Sequence, residues 1–108
     1  GGAAPAAPSG RAAEGSTRAG YLAKKGGFMK AQWQKRWFEL RGGTLYWAKG
    51  EGDALGSMGK ASVVACEASG RTLNLTLAHE TKGEVPRVLR AANEVDASLW
   101  ADAAKARR

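Results

Sequence analysis

From Gly20 onward, apolar and polar side chains alternate in short runs separated by glycine, the period-two pattern of half-buried β-strands. The cleanest run is TLNLTLA, where Leu73, Leu75 and Leu77 share one face and Thr72, Asn74 and Thr76 the other. KRWFELR sets Phe38 and Leu40 against Trp37, Glu39 and Arg41 in the same way. GYLAK precedes it as a first strand and TLYWA follows as a third. Gly42 and Gly43 lie between the second and third strands, able to take the positive φ angles of a tight hairpin. The glycine-rich KGEGDALGSMG reads as a loop running into a short strand near Met58. ASVVACE is the next strand, and SGR turns the chain into TLNLTLA. After the polar loop HETKGE, PRVLRAA is expected as the last strand, with Pro86 at its start or on an edge, where no ladder donor is required.

The period then changes. NEVDASLWADAAKARR is rich in alanine, with Asn93 placed to cap a helix and Asp96 three residues later, a weaker relative of the capping box. Acids fall in its first turn and Lys105, Arg107 and Arg108 in its last, which suits the helix dipole. Ala97, Trp100, Ala101 and Ala104 share one face, so a large indole flanked by alanines should plug an apolar opening. The pattern as a whole predicts a mainly β fold of about seven short antiparallel strands, a small barrel or sandwich closed at one end by a C-terminal helix.

The chain has 108 residues, which fits one domain with a modest core of its own. Residues 1–16 contain only small residues, Pro, Gly, one Arg and one Glu; they are expected to be a disordered Ala/Pro/Gly-rich tail or linker, leaving 17–108 as the folded domain. Cys66 is the single cysteine, so no internal disulfide or paired-cysteine metal site can form. It reads as a small buried apolar residue, compatible with a reducing, cytoplasmic location. No apolar run is long enough to span a bilayer and no signal-type segment is evident, so any membrane association should be peripheral. The net charge of +7 is unevenly placed. Residues 17–50 hold eight Lys/Arg against Glu39 alone, whereas acids and bases cancel on either side. Charge concentrated in this way points to an anionic partner.

Several residues together resemble the pleckstrin homology (PH) domain family: Gly20, Leu22 and Lys24 in GYLAK, Trp33, Arg36, Trp37, Phe38 and Leu40 in WQKRWFEL, Leu45 and Tyr46 in TLYW, and Trp100 in the final helix. The similarity runs from about Ala19 to Arg107. It implies a seven-stranded barrel of two near-orthogonal sheets capped by the helix. It also implies a phosphoinositide or other anionic-lipid site at the opposite end, built from basic residues of the first two strands, although many such domains bind proteins instead.

Strand parity singles out the charges independently. Lys24 lies two residues after Leu22, and Arg36 two before Phe38, so both share the parity of core residues. Ionised groups in that position are tolerable only where a barrel opens to water or to an anion. The alternatives are a rim lysine reaching solvent and an arginine paired with an internal acid. Lys30 in the first loop is the next phosphate candidate, and Lys25 and Lys35 add to the basic surface. The resemblance implies that Tyr46 donates a hydroxyl hydrogen bond to a phosphate; as a residue it reads equally well as a half-buried wall tyrosine. Members with tight head-group recognition usually carry a Lys or Arg two residues before the strand 2 arginine, where this chain has the uncharged Gln34. Phe28 and Met29, near the tip of KKGGFMKAQW, either enter the lipid interface or fold back on the barrel. Insertion of the phenylalanine would contribute roughly 1.5 to 3 kcal/mol, and each nearby lysine about 1 kcal/mol against anionic lipid.

Other classes fit less well. His79 is the only histidine and has no evident catalytic partner, and no phosphate-loop, dinucleotide or metal-ligand spacing appears, so neither an enzyme nor a cofactor is expected. A protein-interaction module is the runner-up. Nucleic acid ranks below it, because the aromatics have structural roles and leave no stacking platform.

Overall fold

The computed structural model describes residues 17–26 and 29–105. Among these residues six strands, β1 (Thr17–Gly26), β2 (Met29–Arg41), β3 (Thr44–Ala48), β4 (Gly59–Ser69), β5 (Thr72–His79) and β6 (Gly83–Arg90), are followed by one helix, α1 (Glu94–Lys105). The strands pair antiparallel in chain order and β6 returns to β1, closing a barrel.

Six strands stand where seven were expected because two of those are one. β4 pairs with β3 through Gly59 to Ser62 and with β5 from Ser62 to Ser69, and the register slips between Val63 and Ala65. An extra residue at such a slip bends a strand and increases its twist. The bend lets β4 pass from one side of the barrel to the other without a break, joining the two expected sheets into one ladder. The hairpin glycines behave as the sequence predicts: Gly42 and Gly43 have φ of 55° and 84° between Arg41 and its partner Thr44. β6 begins at Gly83 rather than Pro86, so the loop read in HETKGE shrinks to a short turn. Pro86 is paired with Thr76 of β5 and is not among the described β1–β6 pairs.

The alternation read in the sequence fills the barrel. Phe38, Leu40, Leu73, Leu75 and Leu77 are buried, together with Leu22, Leu45 and Leu89. α1 closes one end with Trp100, which is buried beside Ala97, Ala101 and Ala104 and contacts Gly20 at 3.7 Å from where a Cβ would sit. Asn93 caps the helix, its Oδ1 accepting from the Asp96 N–H at 2.8 Å. The Asp96 carboxylate has a different use from a capping-box acid: it accepts from Arg18 Nη2 at 2.6 Å and ties the helix to β1. The Arg18 guanidinium also lies 5.5 Å from the Trp100 ring, so one residue fixes both helix and plug. Cys66 is buried in this core, and burial pushes its thiol up to about 11 from the ordinary 9.0.

Candidate functional site

At the end of the barrel away from α1, the inward positions of the strands stop being apolar. On β1 the inward series runs Leu22, Lys24; on β2 it runs Leu40, Phe38, Arg36, Gln34; on β6 it runs Leu89, Arg87. Lys24 stands opposite Gln34, and Leu22 opposite Arg36, so Lys24 and Arg36 are diagonal neighbours on one face. Lys24 and Arg87 line a small cavity of about 60 Å³ floored by Phe38, Leu45, Trp47, Leu77 and Leu89. The Lys24 ammonium is held below its ordinary 10.5, first by partial burial and then by the charges of Arg87 and Arg36.

These three cations have no carboxylate partner among the described residues. Glu84, the acid nearest Arg87 in sequence, is exposed at the outward parity of β6, and two other acids are engaged elsewhere. Glu39 has the outward parity of β2, where it accepts from Trp37 Nε1 at 3.1 Å and from Arg41 Nε at 3.0 Å. Asp96 holds Arg18. Arg36 is oriented by its own strand: Nη1 donates to the Lys35 carbonyl at 2.8 Å and Nη2 to Gln34 Oε1 at 3.1 Å, while its Nε is buried with no partner. Gln34 therefore serves as a neutral brace that positions the guanidinium and leaves its charge uncompensated.

Other residues singled out in the sequence lie elsewhere. Lys25 and Lys35 have outward parity and are exposed. The Lys25 ammonium lies 5.2 Å from the centroid of the Trp33 ring, and Arg90 reaches the same ring at 4.1 Å, forming a separate basic and aromatic patch on the outer wall. Tyr46 is not brought to Lys24. The inward β3 positions are Leu45 and Trp47, which leaves Tyr46 facing outward into a groove of about 430 Å³ with Lys60, Ser62 and His79. Lys30 and Met29 fall at the start of β2, with side chains outside the described set, and Phe28 lies outside the described residues altogether.

Arg87 was the residue that sequence reasoning missed, although its signal was present. Val85, Arg87 and Leu89 alternate with exposed Glu84, Pro86 and Val88, so Arg87 is a charge at core-side parity by the same criterion that found Lys24 and Arg36. Arg90 gave no such signal, because its stacking on Trp33 depends on the β1–β6 pairing.

This arrangement, a closed antiparallel barrel with a tryptophan-bearing C-terminal helix at one end and a basic mouth at the other, is the pleckstrin homology fold. Solved structures similar to this chain include the PH domain of human KIAA0053 protein (24% identity, TM-score 0.62, covering 83% of this chain and 86% of that one). The N-terminal PH domain of human ARAP2 is similar at 18% identity and TM-score 0.63, covering 94% of this chain and 84% of that one. The PH domain of mouse Ethanol Decreased 4 protein is similar at 19% identity and TM-score 0.56, covering 80% and 81%. No protein-family model and no curated protein sequence matches the chain.

Proposed function

We propose that this chain is a binding module whose basic mouth takes the phosphate groups of a phosphoinositide or other anionic lipid, attaching the protein reversibly to a membrane surface. The observation that carries this reading is the convergence of Lys24, Arg36 and Arg87 with no acid bonded to any of them among the described residues. Cations held near one another in partly desolvated positions repel, and a multivalent phosphate converts that repulsion into charge-assisted hydrogen bonds. The apolar floor beneath the charges is too small to admit a drug-sized ligand, so a ligand would be held by its anionic groups at the mouth. Gln34, braced against Arg36, supplies no fourth charge, which supports modest head-group selectivity.

Flotation with phosphatidylcholine vesicles, with and without phosphoinositide, tests the proposal. Loss of one charge-assisted contact in Arg36→Ala should weaken phosphoinositide-dependent binding by roughly 10- to 100-fold. Equal binding by Arg36→Ala, or no dependence on phosphoinositide, would overturn it. A protein partner is the second reading, and one feature favours it: Val95 and Leu99 stand one turn apart on α1, 69% and 44% exposed. Indifference to every vesicle would favour that reading.

A further inference from the structure

The barrel is closed unequally. β1 pairs with β2 at positions from Thr17 to Gly26, and β5 with β6 from Thr72↔Arg90 to His79↔Gly83. Between β1 and β6 the ladder holds only two pairs among the described residues, Ala23↔Arg90 and Lys24↔Leu89. Beyond Leu89, Val88 and Arg87 of β6 pair with no described residue of β1. The seam is therefore the shortest ladder in the barrel wall among the described residues.

The mouth charges sit on both sides of this seam. Lys24 is itself a seam residue, and Arg36 is its diagonal neighbour on β2. Arg87 lies two residues before Leu89, the partner of Lys24, and lines the same cavity as Lys24. Without an anion, like charges face each other across two ladder pairs. We propose that Arg87 completes the mouth from across the seam, so that a phosphate group held by Lys24 and Arg36 on one side and Arg87 on the other clasps β1 to β6. This rests on the mouth being the phosphate site. The ligand class is a doubly charged phosphomonoester, carried either by a lipid head group or by a soluble polyol phosphate. Binding and barrel closure are then linked: the ligand favours the closed seam, and whatever opens the seam releases the ligand.

Hydrogen exchange read by mass spectrometry on the full chain tests this, with soluble inositol hexakisphosphate in one arm and phosphoinositide vesicles in the other. At ligand concentrations about a hundredfold above Kd, exchange through seam opening should slow by up to about a hundredfold at whichever amides among Ala23, Lys24, Leu89 and Arg90 bond across the seam, one on each strand. The amides of the β2–β3 hairpin should be unchanged. Arg87→Gln should bind about tenfold more weakly and lose the slowing even when saturated. Arg87→Lys should keep part of it, and Lys60→Gln, an equal loss of charge away from the mouth, should keep all of it. Slowing in only one arm supports the clasp and identifies the source of the phosphate. Binding with no slowing at the seam, or full slowing in saturated Arg87→Gln, would overturn the clasp while leaving the mouth as the site. Absence of binding in both arms would overturn both.

Discussion

Lys24→Met should make the protein more stable and a poorer ligand binder at once. Lys24 is partly desolvated, faces two guanidinium charges, and has no acid bonded to it among the described residues, so its ionised form costs the free fold stability. Methionine has a similar length, no charge and enough flexibility to lie over Phe38, Trp47 and Leu89 in the cavity they floor. Relief of two partly exposed like-charge contacts is worth a few tenths of a kcal/mol each, about 0.5 kcal/mol together. Burying an additional ~30 Å² of apolar surface contributes about 0.7 kcal/mol more. The total of about 1 kcal/mol corresponds to a rise in Tm of roughly 4–8 °C for a domain of this size. The same change removes the charge-assisted phosphate contact proposed for Lys24 and should weaken phosphoinositide binding by roughly 10- to 100-fold.

The pH dependence provides an independent check. A lysine whose folded pKa is lowered binds its proton less tightly when folded, so the unfolded chain holds more protons as the pH approaches 10.5 from below. Stability therefore rises with pH as Lys24 titrates, and the penalty is fully present below its folded pKa. Cys66 acts in the opposite sense: its thiol is raised from 9.0 to about 11 by burial, so its contribution is full below 9.0 and lost as pH rises through about 11. The quantity to measure is thus the difference in unfolding free energy between wild type and Lys24→Met, followed by denaturant titration from neutral to alkaline pH. That difference should shrink as the pH rises. A Lys24→Met protein that is less stable than wild type at neutral pH, or that binds vesicles as well, would show that Lys24 is already compensated inside the fold.

Two further substitutions probe how the mouth and the cap are built. At Gly59 an added Cβ would fall 2.5 Å from Trp47 Cζ2 and 2.7 Å from Cε2, so Gly59→Ala should cost roughly 1–3 kcal/mol and alter the near-ultraviolet tryptophan dichroism; unchanged stability and spectrum would mean that Trp47 is free to move. Asn93→Ala removes the acceptor of the Asp96 N–H and should cost about 1 kcal/mol in thermal unfolding, with Asn93→Ser retaining most of it.

Much of the fold was legible because its signals are local. Alternation in TLNLTLA, the Gly42–Gly43 turn and the alanine face around Trp100 each depend on a few neighbouring residues, and each appears where the sequence places it. The strand count was not legible in the same way. Nothing in GKASVVACEAS marks the slip between Val63 and Ala65, because a bulge is defined by the strands on either side rather than by the residue it displaces. A short strand near Met58 and a separate ASVVACE strand were expected where the chain makes one bent strand.

The site divides along the same line. Parity on a single strand was enough to show that Lys24 and Arg36 share the core side, since each has an apolar neighbour two residues away. It was not enough for Tyr46, whose assignment came from resemblance; its neighbours Leu45 and Trp47 take the inward positions, so Tyr46 must face out. It also could not show that Arg87, far along the chain, meets Lys24, because that contact is made only when β6 closes on β1 through two residue pairs. The charge excess of residues 17–50 thus understates the mouth: one of its three cations lies in a segment whose net charge is zero, and only barrel closure brings it there. Any variant that weakens the seam should therefore weaken phosphate binding without touching a charged residue.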